Sequence, residues 1–132
     1  MSVSDACVLN LAATYVQLKQ GGAGLPVEVN ETFWPEVQEG KREFDGRMVM
    51  LFHIDADSPK WEIHPAGDEI VFPISGAFDV VCDDGATERR IALQPDGSCL
   101  LMPPDVWHRF VVKEPGNVLF VTPCKDTRYR PV

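Results

Sequence analysis

From Val27 to Thr122, proline, glycine and aspartate cut the chain into short apolar runs at close, regular intervals. Runs of that length are too brief to be amphipathic helices, which need about ten residues or more to present a face. They read as β-strands separated by turns, and their spacing predicts an all-β sandwich or barrel. Strands are expected over 47–54, 61–64, 69–74, 77–82, 89–93, 98–102, 107–112 and 117–122. A weaker alternation lies at Val27-Glu28-Val29, and Phe33, Trp34 and Val37 continue an apolar pattern around Pro35. The total is about ten strands. Residues 39–46 form a polar loop, 55–59 break the chain, 65–68 make a turn, and Ser75-Gly76 is a hinge. Asp83-Asp84-Gly85 is the best hairpin signal, since Asp-Gly tolerates the positive φ of a tight turn.

Residues 1–25 fit this pattern least. Val8, Leu11, Ala12, Tyr15 and Leu18 fall at helical spacing, with Asp5 placed to cap the start and Gly21-Gly22 to end it. A strand over 8–11 followed by one helical turn is the alternative. In either case the segment is expected to wrap the barrel or join a subunit contact.

Composition narrows the function classes. At 132 residues, 45% hydrophobic and 24% charged, the chain suits one domain spanning 1–132. Its net charge is −8 and no basic stripe precedes Lys125, which argues against nucleic acid as a partner. Lys125, Arg128 and Arg130 read as a solvated tail. No basic, apolar leader opens the sequence and no apolar run is long enough to span a bilayer, so no membrane partner is expected. Cys7, Cys82, Cys99 and Cys124 form no C-x-x-C pair and read as reduced, mostly buried thiols of a cytoplasmic protein, with Cys82 and Cys99 as small apolar fillers.

Two segments carry chemistry. In Trp61-Glu62-Ile63-His64, alternation sends Glu62 and His64 to one face and Trp61 and Ile63 to the other. Glu69 follows the turn, where the reversed chain can present a third group to the same space. In the second segment, Gly97 and the Pro103-Pro104-Asp105 turn bracket a strand, and His108 starts the next, on one face with Phe110 and Val112. A histidine heading an apolar inward stripe needs a partner, and imidazoles converging with a carboxylate make a seat for a divalent cation. The bland reading is two structural histidines and a turn carboxylate. His53 shares a face with Val49 and Leu51, opposite Met48, Met50 and Phe52, and the sequence does not say which face is inward. Met50, Phe72, Trp107 and Phe110 are candidate pocket walls, although aromatics in a barrel are more often plain core. Arg109 alternates away from His108 and is expected outside.

These residues resemble the cupin superfamily, whose motifs run G-x5-H-x-H-x3,4-E-x6-G and G-x5-P-x-G-x2-H-x3-N. His64, Glu69 and Gly76 match the later part of the first, and Gly97, Pro103 and His108 match the second. The resemblance covers about residues 47–122. The chain departs from the pattern at Ala56, Asp105 and Val112, and Glu62 stands where the first histidine usually does. The resemblance implies a double-stranded β-helix, or jelly-roll barrel, with His64, Glu69 and His108 as metal ligands. Glu62 is then a fourth ligand, a general base, or a partner of a ligating histidine. A second carboxylate in the set favours Fe or Mn, with Zn or Ni as further candidates.

The implied function is that of a metal-dependent enzyme acting on a small organic molecule, an oxygenase (an oxidoreductase) or an isomerase, with Glu62 as candidate catalytic base. A non-catalytic sensor or carrier and a metal-free, epimerase-like cupin are the rival readings, and fold alone does not choose among them. A homodimer is expected, because small cupins often pair and the apolar N-terminal segment needs cover.

Overall fold

The computed structural model describes residues 5–132, so the first four residues of the N-terminal segment lie outside the described residues. Eleven strands and one short helix follow in order: β1 Thr14–Leu18, β2 Gly24–Glu28, α1 Phe33–Gln38, β3 Arg47–Ile54, β4 Lys60–Ile63 and β5 Glu69–Pro73, then β6 Ala77–Asp83, β7 Glu88–Leu93, β8 Leu100–Met102, β9 Trp107–Glu114, β10 Gly116–Pro123 and β11 Arg128–Pro131. They form a six-stranded sheet, β2-β1-β3-β10-β5-β8, and a five-stranded sheet, β11-β4-β9-β6-β7. Every pairing is antiparallel, and the whole is the all-β jelly-roll expected. Among the described residues no helix is long and apolar enough to cross a membrane.

The core lies between the sheets. Met48 and Met50 of β3, Val71 of β5, and Val118 and Phe120 of β10 face Phe78 and Val80 of β6 and Phe110 of β9. Full burial of such side chains is worth about 1.5–3 kcal/mol each, which fixes the register of both sheets. The face of β3 left open by its sequence is thereby settled: Met48, Met50 and Phe52 point in, and His53 points out, where its Nδ1 lies 2.9 Å from Asn117 Oδ1.

Two regions differ from the sequence reading. The helical spacing near the N-terminus belongs to β1, which pairs with both β2 and β3. Tyr15 and Gln17 are buried there by alternation, and the turn at 11–13 replaces both the helix and the strand over 8–11. The supposed solvated tail is β11, paired with β4 from Arg128–Ile63 to Pro131–Lys60. The Arg130 guanidinium lies 4.9 Å from the Trp61 ring centroid and 4.6 Å from that of Trp107, and bonds Asp83 at 2.9 Å. Cation–π stacking of this kind holds a basic strand on an acidic protein.

Smaller corrections concern single residues. Phe33, Trp34 and Val37 form α1, and Pro35 sits in its first turn, where a missing N–H costs nothing. Trp107 and Phe72 do not line the cavity, whereas Met50 and Phe110 do. Cys7 and Cys99 are exposed, so only Cys82 is fully buried; Cys124 is half-buried, and burial pushes its thiol up to about 11. Asp105, at the motif's glycine position, adopts φ 63°, a left-handed conformation that aspartate tolerates better than most residues. Gly76 has φ 83°, and a Cβ there would meet the Glu114 carbonyl oxygen at 2.7 Å, so the hinge admits only glycine.

Candidate metal centre

The turn at 65–68 and the start of β9 bring four side chains to one end of the barrel. Glu62 sits on β4 directly across from His108 on β9. His64 follows β4 by one residue, and Glu69 opens β5 from the opposite sheet. Only 4% of His64, 2% of Glu69 and 3% of His108 remains exposed, a degree of burial that polar groups accept only when satisfied.

Their mutual spacing is informative. His108 Nε2 lies 3.2 Å from Glu69 Oε1, and His64 Nε2 lies 3.3 Å from Glu69 Oε2 and 3.6 Å from Glu62 Oε2. A charge-assisted N–H···O bond draws in to about 2.7–2.9 Å, so these contacts are long for shared protons. Both His64 Nε2 and Glu69 Oε1 are buried without a hydrogen-bond partner. Two ligands bound at right angles to one cation through bonds of about 2.1 Å sit about 3 Å apart. The donor set therefore fits a divalent metal. Glu62, His64 and His108 alone also offer donor atoms within 4.8 Å of one another.

The rest of each ring is pinned from outside. His108 Nδ1 donates to the Val106 carbonyl at 3.0 Å, leaving the Nε2 lone pair facing inward. His64 Nδ1 meets Thr127 Oγ1 at 2.9 Å, and the Thr122 hydroxyl donates to Glu69 Oε2 at 2.6 Å. Such outer contacts orient ligands and raise their basicity. The sequence reading missed Thr122, Thr127 and Tyr129. Thr122 could have been found as a polar residue in the inward register of Val118 and Phe120, whereas the other two lie in the segment read as tail.

Electrostatics divides the two carboxylates. Burial alone would raise Glu69, but contacts from His108 and His64 outweigh it and hold the carboxyl at about 2. Burial works to lower His108 as well, yet the Glu69 carboxylate prevails and its pKa is raised. Glu62 is raised, first by burial, with His64 pulling it back and Glu69 pushing further. Its side chain keeps 43% of its surface exposed, toward a cavity of about 920 Å³ that also receives Tyr129. Tyr129 is the cross-strand partner of Glu62, and burial and then Glu62 raise its phenol.

Two facing sheets with two histidines and a glutamate gathered inside them define a small cupin. Among solved structures, the chain resembles a cupin-2 domain protein from Shewanella frigidimarina at 22% identity and TM-score 0.50, over 62% of this chain and 74% of that one. It resembles the WlaRB TDP-quinovose 3,4-ketoisomerase from Campylobacter jejuni at 18% and 0.50, over 80% and 77%. Hydroquinone 1,2-dioxygenase from Sphingomonas sp. TTNP3 matches at 18% and 0.50, over 62% of this chain and 61% of that one. No curated protein sequence matches the chain. The family described as FdtA: WxcM-like, C-terminal matches residues 37–129, and the chain belongs to that family.

Proposed function

We propose that this chain is a metal-dependent cupin enzyme that moves a proton between neighbouring positions of a small organic molecule, an isomerase. The observation that carries the reading is the convergence of His64, Glu69 and His108 on one point, with His64 Nε2 and Glu69 Oε1 buried there without a hydrogen-bond partner. These three residues would hold a divalent metal, Fe or Mn by the hardness of the set, and the metal supplies Lewis acidity to a substrate oxygen when bound.

The remaining chemistry falls to side chains around that point. Glu62 is placed to carry the proton: it faces the cavity, stands 3.6 Å from His64, and its pKa is raised, first by burial, which makes it a stronger base than an ordinary glutamate. The Tyr129 phenol, raised by burial and then by Glu62, stays protonated beside it and is available to the cavity as a hydrogen-bond donor. Thr127 and Val106 fix the imidazoles, and Thr122 fixes the Glu69 carboxylate, so the site needs little reorganisation.

Oxygenase chemistry is the second reading, favoured by the two-histidine, one-carboxylate set, which leaves positions open for both substrate and dioxygen. The solved relatives named above include a ketoisomerase and a dioxygenase. Metal analysis of protein purified without chelator, paired with His64→Ala, tests the centre: one ion per chain, lost in the variant, is expected, and a metal-free wild type refutes it. Solvent deuterium entering a candidate substrate without oxygen uptake then marks an isomerase, and uptake without exchange marks an oxygenase.

The reading includes a homodimer formed by a second copy of the chain. The outer face of the six-stranded sheet carries Val49, Leu51, Ile70, Phe72, Leu119 and Val121 on adjacent strands. An antiparallel sheet facing water normally alternates to polar residues on that side. Leu101, beside Ile70, is 61% exposed. At about 4.8 Å between strands six strands span roughly 24 Å, and an eight-residue strand such as β3 runs roughly 27 Å, a face of about 650 Å², on the scale of the roughly 800 Å² that a stable dimer takes from each partner. The centre of the face is uncharged, so two chains of charge −8 can meet there without opposing charges.

A further inference from the structure

The strands that carry the site bear a second row of side chains on their outer face. Tyr129, Glu62, His108 and Cys82 stand cross-strand from one another in β11, β4, β9 and β6. Side chains alternate along a strand, so the adjacent residue on each turns to the opposite side. Those adjacent residues include Arg130, Trp61, Trp107 and Asp83, and they form one assembly. The Arg130 guanidinium lies 4.9 Å from the Trp61 ring centroid and 4.6 Å from that of Trp107, and it donates to Asp83 Oδ2 at 2.9 Å. Asp83 Oδ1 accepts the Gly85 amide at 2.8 Å, which fixes the far end to the turn after β6. One side chain from the edge strand therefore reaches over β4 and β9 to β6.

The backbone at this edge is thinly tied. β11 has four residues and one neighbour, β4, which also has four and whose register with β9 is the single pair Glu62–His108. Two side chains of the site depend on where β11 lies. Thr127, the residue before it, meets His64 Nδ1 at 2.9 Å, and Tyr129 stands across from Glu62. His108 has no such dependence, because its brace is the Val106 carbonyl two residues back. A guanidinium facing two indoles and a carboxylate gains from cation–π attraction and from a charge-assisted bond. Both act through side chains, where ladder hydrogen bonds are few.

We infer that Arg130 is a positioning residue for the site: from outside the barrel it holds β11 in register, and through β11 it keeps Thr127 on His64 and Tyr129 beside Glu62. Arg130 does not line the cavity, so its loss reaches the site only through the strand. The consequence for a metal rests on the metal-centre reading, whereas the placement of His64 and Tyr129 does not.

Arg130→Leu keeps an apolar side chain but removes the cation. Asp83→Asn removes the acceptor that Arg130 uses and leaves Oδ1 to the Gly85 amide. Each full-length chain, chelated, is followed at fixed pH by imidazole NMR and by amide hydrogen exchange, then titrated with Zn(II) against a coloured chelator. In both variants the His64 signals are expected to move while those of His108 stay, and the β11 amides are expected to exchange about tenfold faster. Zn(II) affinity is expected to fall about tenfold, the usual cost of disturbing an outer partner of a ligand. The two variants sit on different strands, so misfolding of one leaves the other to decide. Wild-type His64 signals and β11 exchange in a folded variant would overturn the inference. Equal displacement of His64 and His108 would overturn it too, since general damage to the barrel moves both. A wild type that takes up no Zn(II), with the His64 change still selective, removes the metal centre and leaves the role of Arg130 standing.

Discussion

Replacing Glu69 with glutamine in the chelated protein removes one charge and almost no volume, and its cost should depend on pH in a defined way. Glu69 is 2% exposed, and its carboxyl is held at about 2 against an ordinary value of 4.5. At roughly 1.4 kcal/mol per pH unit, that displacement corresponds to about 3 kcal/mol of folding stability. A group whose folded pKa is depressed contributes fully above its unfolded value and loses the contribution as pH falls through the folded one. Glu69 therefore stabilises above pH 4.5 and fades toward pH 2. His108 has the opposite sense: its folded pKa lies above 6.5, so its share is complete below 6.5 and is lost as pH rises through the folded value. The difference in stability between wild type and Glu69→Gln should peak between pH 4.5 and 6.5 and decline on both sides. A loss of this size is a large part of the 5–15 kcal/mol typical of a domain. Urea unfolding of both chelated proteins from pH 3 to 8 measures it. A difference that is flat with pH, or that grows as pH falls from 4.5 toward 3, would refute the assignment of Glu69 as the buried anion of the site.

Glu62→Gln should retain the metal, counted by elemental analysis, while turnover falls about 10²- to 10⁴-fold, the usual contribution of a general base; loss of the metal instead would make Glu62 a ligand. Thr122→Val leaves Glu69 Oε2 without its 2.6 Å donor and should weaken metal affinity about 10- to 100-fold in a competition titration with a coloured chelator. Leu119→Arg places a charge at the centre of the apolar outer face and should shift the protein to monomer in sedimentation, with its circular dichroism unchanged.

Much of the barrel was legible because its strands alternate over a dry core, and alternation survives in sequence as a period of two. The Gly76 hinge and the Asp84-Gly85 turn announce themselves by residue type. His64, Glu69 and His108 were visible as polar residues placed where the inward register called for apolar ones. The misread ends have one cause in common. Val8, Leu11, Tyr15 and Leu18 satisfy helical spacing by coincidence, and β1 forms because β2 and β3 offer it two partners. Arg128 and Arg130 look like a charged tail because nothing local shows that Trp61 and Trp107 wait across the sheet. Tyr129 and Thr127 reach the site only through that long-range pairing, so their roles could not be read from neighbours in the chain.

The two imidazoles are not equally secure. His108 is braced by the carbonyl of Val106, two residues away, in a strand with β4 and β6 on either side. His64 leans on Thr127, at the foot of a sheet-edge ribbon whose one neighbour is β4, and β4 itself meets β9 at Glu62 and His108. Peripheral ribbons open at lower free energy than interior ones. Gentle warming should therefore loosen the centre from one side, swinging the first histidine away while the second keeps its place, as a door turns on its hinge.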